Sequence, residues 1–259
     1  MVSVSPAVAA HLVSLDSEPA RRALALQRAR AAGLDPRVHP ACDGRTLDPL
    51  PVSPGGPAPG EIGCLLSHRS LLREIAAGPA DLALVLEDDV VFAEQFGPGM
   101  AEVLTAVAEH DLSFVQVGWM PTDEQRRPVN RVRARLAASP PVRRVVHALR
   151  PNTPAKAPLV VPRPLGWGAH CYLVTRGFAG TLAEILDSPL LAPVDAVFRG
   201  VAVMAPDRLW RTRFPLAGQD FTLGSTVNPE RFRFVGRQLD AHGRLVDDPR
   251  STDPDHGRG

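Results

Sequence analysis

The chain has 259 residues, 44% of them apolar and 22% charged, with a formal net charge of +1. That supports a real core in one large α/β domain or two small ones, and the near-neutral balance gives no reason to expect nucleic acid or an anionic membrane as partner. Twenty-seven prolines, and the replacement of lysine by arginine everywhere but Lys156, read as the bias of a GC-rich genome rather than as function.

"HLVSL" at 11–15 suits a buried strand, and "EPARRALALQRARAAG" follows as a helix. Asp16 or Ser17 is placed to cap that helix, Pro19 sits in its first turn and Gly33 ends it. "RVHPACDG" returns as a second strand closed by an Asp-Gly turn, giving the strand–helix–strand unit of a parallel sheet. A Pro/Gly loop at 47–60 precedes the helix "EIGCLLSHRSLLREIAAG", with Ile62, Leu65, Leu66, Leu72 and Ile75 broadly on one side. "LALVL" is the next buried strand. "GMAEVLTAVAEHD" then reads as a helix and "LSFVQVGW" as a strand.

From Met120 to Pro164 the sequence is rich in arginine and proline, an insertion whose expected role is a lid or binding loop over acceptor or donor. "HCYLVT" at 170–175 is a strand, "RGFAGTLAEIL" and "PVDAVFRGV" helices, and "RLWRTRF" a late strand. The expected organisation is therefore one domain over 1–236 and a polar, flexible tail over 237–259. Cys42, Cys64 and Cys171 are too few and too scattered for a disulfide framework or a zinc site, so they read as ordinary thiols. No basic, apolar leader opens the sequence and no apolar run approaches ~20 residues, so the expectation is a cytoplasmic protein without an integral membrane segment.

Directly after the apolar run "LALVL" stand three adjacent carboxylates, Glu87, Asp88 and Asp89. Grouping them costs free energy unless a cation relieves the repulsion. One reading is a solvated turn. The other is a site for Mg²⁺ or Mn²⁺, which take oxygen ligands and are commonly shared with substrate phosphates. Strand alternation, if it continued, would put Glu87 and Asp89 on one side and Asp88 on the other. Ligands of open α/β sheets bind at the carboxyl ends of strands, which is where this triplet lies. No "GxxxxGK[ST]", "GxGxxG" or "GxSxG" pattern occurs, so P-loop, dinucleotide and serine-hydrolase chemistry lose support.

In the stated order, "SLDSEPARR", "ACDG", "GEIGCLLSHRSLL", "LVLEDDVVF", "GAHCYLVTRGFAGTL", "PVDAVF" and "PLAGQDFTLGST" resemble the family-25 glycosyltransferases, over about residues 11–118 and 165–227. That group includes bacterial lipooligosaccharide β-galactosyltransferases and procollagen galactosyltransferases. The resemblance implies a GT-A type, Rossmann-like fold with a mostly parallel central sheet and helices on both faces. It also implies a UDP-sugar donor, Mn²⁺ or Mg²⁺ as cofactor, and inversion at the anomeric carbon. Carried onto this sequence, Asp89 is the metal ligand with Glu87 as its partner, and Glu87 or Asp88 lies near ribose or sugar hydroxyls. Arg21 or Arg22, and Asp43, lie near the uridine, while Gln219 and Ser225 orient substrate.

Direct inversion needs a base to take the acceptor's proton, and Asp195 is the first candidate with Asp220 in reserve. Asp195 also reads equally well as a helix N-cap after Pro193. His68 and His170 are ordinarily structural residues; the resemblance makes both substrate-side candidates. Gly166 and Gly168 flank Trp167, which reads either as a buried loop residue or as a stacking surface for a sugar. The acceptor (oligosaccharide, peptide hydroxyl or small metabolite) is left open. Two other functions compete: another metal–nucleotide enzyme such as a nucleotidyltransferase, and a catalytically silent binding or scaffold protein of the same fold.

Overall fold

A computed structural model of the chain describes residues 8–47, 56–120, 159–187, 192–224, 227, 237–239 and 245–247. Ser225 and nearly all of the 120–164 insertion, with its expected lid role, lie outside the described residues.

Strand β1 (Val8–Ser14) leads to helix α1 (Pro19–Ala31), which has proline in its first turn and no side-chain cap, so neither Asp16 nor Ser17 takes that role. Strand β2 (Arg37–Pro40) is shorter than the sequence predicts. Asp43 instead accepts the Arg45 backbone N–H at 3.0 Å and caps a 3-10 turn at 44–46, a local bond that outcompetes the ladder. Helix α2 (Pro59–Ala77) starts with Pro59, and the Glu61 carboxylate reaches back to the Ala58 N–H at 2.8 Å.

The chain continues through β3 (Leu82–Glu87), β4 (Val90–Phe92), α3 (Phe96–His110), β5 (Phe114–Met120), β6 (Val160–Val161) and β7 (Trp167–Thr175). It then forms α4 (Arg176–Leu186), α5 (Val194–Met204), β8 (Leu209–Thr212) and β9 (Ala217–Gln219). In the stretch expected to be a flexible tail, β10 (Arg237–Leu239) and β11 (Leu245–Asp247) pair as an antiparallel ribbon.

The main path of the central sheet runs β2-β1-β3-β7-β5-β8-β6. β2, β1 and β3 are parallel, as are β5 and β8; β7 and β6 run against them. The expected α/β class with a mostly parallel sheet is therefore what the structure shows. Because β7 is reversed, its first residues lie beside the carboxyl end of β3: Leu86 pairs with Cys171, which places His170 next to Glu87 along the edge.

Alternation along β3 splits the core. Ala83 and Val85 join Leu71, Leu72 and Ile75 of α2, Leu182 of α4 and Phe198 of α5 on one face. Leu82, Leu84 and Leu86 join Ala25 and Ala29 of α1 and Val103 and Val107 of α3 on the other. Burial on both faces explains why this strand reads as an unbroken apolar run. Among the described residues no helix is long and apolar enough to cross a membrane.

The start of α2 is pressed against the 42–44 backbone. A Cβ on Gly63 would stand 2.6 Å from the Cys42 carbonyl oxygen and 2.6 Å from the Gly44 nitrogen. Both are main-chain atoms held by the turn, so Gly63→Ala forces backbone displacement. Overpacking of this kind costs ~1–3 kcal/mol, and calorimetry is expected to show a Tm lowered by several degrees. An unchanged Tm would mean that the turn yields without cost.

Candidate active site

β3 stops at Glu87, and residues 88 and 89 form a turn before β4, so the alternation expected to set Glu87 beside Asp89 does not continue. The three carboxylates instead fan out to separate partners. Glu87 Oε1 lies 3.0 Å from His68 Nε2. Asp88 takes Arg21 Nε and Nη2 at 3.0 and 2.9 Å on one oxygen and the Ser14 hydroxyl at 2.9 Å on the other. Asp89 Oδ2 accepts the Gln219 amide at 3.3 Å and lies 3.6 Å from Arg21 Nη2, while its Oδ1 is buried without a hydrogen-bond partner. Burial first, then the Glu87 charge, pushes the Asp89 carboxyl up to about 8; Arg21 opposes this and Asp88 adds to it.

Helix α1 holds this turn from one side. Arg21 also donates from Nη1 to the Leu223 and Gly224 carbonyls at 3.3 and 3.1 Å. One stripe further along the helix, Arg28 donates to the Val90 carbonyl at 3.3 Å and is ion-paired with Asp220. The antiparallel pairing of β4 with β9 brings Val90 opposite Gln219, and the Asp220 N–H donates to the Asp89 carbonyl at 2.7 Å. Two arginines of α1 therefore tie the acidic turn to the 219–224 segment. Arg21 is consumed by this internal role and is nearly buried, so the expected uridine contact does not describe its observed placement. Asp88 is likewise satisfied within the protein.

Helix α2 supplies the opposite wall. His68 is fully buried, with Nδ1 2.9 Å from the Tyr172 hydroxyl. The Glu87 carboxylate can only accept, so the proton between the two groups is assigned to His68 Nε2; in that tautomer Nδ1 accepts from the Tyr172 hydroxyl. Cys64, one turn before His68, donates its thiol to the same Glu87 oxygen at 3.8 Å. Despite burial, which alone would raise it, the Glu87 carboxyl is held below its usual range by the His68 hydrogen bond and, further off, the Arg21 charge.

Asp195 lies in the first turn of α5, two positions past the N-cap, which is Pro193 and not Asp195 itself. Its Oδ2 accepts the Gly168 N–H at 3.0 Å and its Oδ1 the Ala196 N–H at 2.8 Å. Gly168 has φ +95°, and this left-handed backbone lets β7 begin with its N–H on Asp195. Burial raises the Asp195 carboxyl, the two backbone donors oppose that, and Glu87 and Glu61 add to it, so Asp195 shares the acidic environment of the turn. Asp220 is different. Hydrogen bonds from Thr222 and Arg28 hold it below the usual range against burial, and with both oxygens engaged it is a poor base.

Trp167 opens β7 instead of lying in a loop, and Arg199 stacks 4.1 Å from its ring centroid, occupying one face. His170 is fully buried, and burial lowers its pKa, so it lines the floor as a neutral imidazole. Two expected residues have partners outside the acidic turn, and a third is not described. Arg22 binds the Leu15 and Asp16 carbonyls, both at 3.3 Å, Asp43 is locked to Arg45, and Ser225 lies outside the described residues.

Ser14, Arg28, Cys64 and Tyr172 belong to the site but were not among the expected residues. Arg28 is seven residues after Arg21, hence on one helical stripe, and Cys64 is four before His68. Those two spacings were readable. Tyr172 sits inside an apolar strand with nothing to mark it.

A family profile described as "Glycosyltransferase family 25 (LPS biosynthesis protein)" matches residues 55–198, more than half of the chain. The chain belongs to glycosyltransferase family 25. The matched region of this family-25 chain carries α2, the acidic turn, the start of β7 and Asp195. Among curated relatives, a rat protein named "Probable inactive glycosyltransferase 25 family member 3" is 32% identical over 40% of this chain and 21% of its own length. A "Glycosyltransferase 25 family member" from Aedes aegypti is 33% identical over 36% of this chain and 18% of its own. The similarity thus spans about a fifth of those relatives. Among solved structures, a glycosyltransferase involved in glycosylation of the major capsid of PBCV-1 aligns with a TM-score of 0.42 at 7% identity, covering 80% of this chain and 81% of that one.

Proposed function

We propose that the chain is an inverting, divalent-cation-dependent glycosyltransferase of GT-A type that moves a hexose, galactose by family resemblance, from a UDP-sugar to an acceptor hydroxyl. The observation that carries this reading is Asp89: a largely buried carboxylate at a strand end, with an unpartnered oxygen and a proton affinity raised by its neighbours. Such a group is relieved by a hard cation, and Mn²⁺ or Mg²⁺ held by one or two carboxylates together with substrate phosphates fits it. Asp89 would hold the ion, with Glu87 as the second carboxylate, and the bound ion would supply positive charge toward the leaving diphosphate.

Asp195 is the base. Its raised pKa strengthens it, and the Gly168 and Ala196 N–H groups fix its orientation. Gln219 orients Asp89, while Arg21 and Arg28 hold the 219–224 segment in place beside the turn. His170 closes the floor as a neutral group.

The test is NMR of the product formed from UDP-hexoses with an acceptor panel, reading the anomeric configuration. Asp195→Asn is expected to lower kcat by ~10²–10⁴-fold, the range for a positioned general base, while the Mn²⁺-dependent affinity for UDP stays near wild type. Full activity in Asp195→Asn would remove Asp195 as base, and a retained configuration would remove the inverting mechanism.

A second reading, a catalytically silent nucleotide-sugar-binding protein of the same fold, draws on the relative named as probably inactive. UDP binding without UDP release from any donor, with or without acceptor, would favour it.

A further inference from the structure

We propose that Cys64, His68 and Glu87 form a separate site for a soft divalent cation of the zinc class, adjacent to the Asp89 position and sharing only Glu87 with it. One potential ligand atom from each of the three residues lies within 4.8 Å of the other two. The thiol sulfur is 3.8 Å and the His68 Nε2 3.0 Å from Glu87 Oε1. Zinc bonds of about 2.0–2.3 Å place tetrahedral ligands about 3.3–3.8 Å apart. The three atoms therefore need only small shifts to enclose an ion.

The placement follows from the fold. Cys64 and His68 are one turn apart on α2, so they share a face, and β3 ends with Glu87 against that face. His68 is held behind the site by its bond to Tyr172, whose ring stacks on Phe114 with centroids 5.1 Å apart and meets Phe198 edge-on at 5.2 Å. Ring orientation is thereby fixed before any ion arrives.

The chemistry separates this site from the Asp89 position. A thiolate and an imidazole select zinc over magnesium or manganese, which prefer carboxylates, carbonyls and water. Three protein ligands leave a fourth position open. On binding, the thiol proton leaves to solvent. The ring proton moves from Nε2 to Nδ1, and Tyr172 turns from donor to acceptor, the outer hydrogen bond that metal-bound histidines usually make. The alternative is that the Cys64–Glu87–His68–Tyr172 hydrogen bonds are complete in themselves and take no ion.

An ion here withdraws Glu87 from the Asp89 position and sets positive charge beside Asp195, so zinc at this site is expected to inhibit any reaction run through those groups. The binding test does not depend on the glycosyltransferase reading. The full chain, reduced and freed of metal with a chelator, is titrated with Co²⁺ while the thiolate-to-cobalt charge-transfer band is followed. One equivalent is expected to saturate the band, Zn²⁺ to abolish it by displacement, and excess Mn²⁺ to leave it intact. Cys64→Ser should remove the band, Cys42→Ser should keep it, and Tyr172→Phe should weaken Co²⁺ binding by ~10–100-fold. No band in the wild type, or an unchanged band in Cys64→Ser, overturns the proposal. Should Cys64→Ser fail to fold, mass-spectrometric alkylation of the wild type decides. Zinc must shield Cys64, and equal modification with and without zinc overturns the site.

Discussion

Asp89→Asn is expected to make the cation-free protein more stable above neutral pH while removing cation-dependent transfer. The wild-type carboxyl is raised to about 8 by burial, with Glu87 and Asp88 adding repulsion. In the unfolded chain an aspartate titrates near 3.9. Between about 4 and 8 the folded state therefore holds a proton that the unfolded state has lost. Stability contributed by the protonated group is fully present below the lower value, falls as pH rises through this window, and levels off above about 8. Asparagine cannot ionise, so the mutant lacks that slope. The Tm difference, mutant minus wild type, should grow from pH 5 to pH 8 in EDTA, reaching several degrees, given ~2–4 °C per kcal/mol for a domain of this size. Calorimetry across four pH values measures it. A difference that stays flat or shrinks with pH would show that Asp89 is an ordinary ionised carboxylate. The same substitution should cost ~10²-fold or more in kcat/KM, because charge stabilisation of the leaving group is lost.

Arg21→Met is the second large effect. Its side chain is 9% exposed and that of Asp88 12%, and three of its nitrogens are committed to Asp88, Leu223 and Gly224. Removing the guanidinium leaves the Asp88 charge in a nearly dry site with Ser14 as its remaining close donor. Breaking one side of a buried ion pair costs ~3–5 kcal/mol. Urea denaturation should show that loss, and Arg21→Met with Asp88→Leu should cost less than the sum of the two single changes, because the pair is coupled. If Arg21 served the nucleotide instead, as the sequence led one to expect, the midpoint would hold and the donor KM would rise.

These two residues also show where the sequence was legible. β3 was plain because both its faces are buried, leaving an apolar run whose end is marked by charge. Asp89 as the metal ligand among the three acids came from the family resemblance, not from this pattern. The partners did not follow. Whether Arg21 turns inward to Asp88 or outward to a ligand depends on the 219–224 segment. That segment is brought in by β4 and β9, three-residue strands too short to carry a period. Asp195 was visible as an acid opening a helix, yet its bond to Gly168 depends on the reversal of β7, a feature of sheet order and not of local sequence. Asp43, which the family resemblance put near the uridine, is bonded to Arg45 two residues on, a local pairing that the resemblance did not show.

The most direct test of the Asp89-centred donor site is a thermal-shift titration with UDP, GDP, ADP and TDP, each with and without Mn²⁺, on wild type and Asp89→Asn. A ligand that binds the native state alone raises Tm, by ~2.7 kcal/mol of stabilisation at a hundredfold excess over Kd. The expected result is a shift with UDP that requires Mn²⁺ and is absent in Asp89→Asn. A shift of equal size without Mn²⁺ or in the mutant, or no shift with any nucleotide, would contradict it.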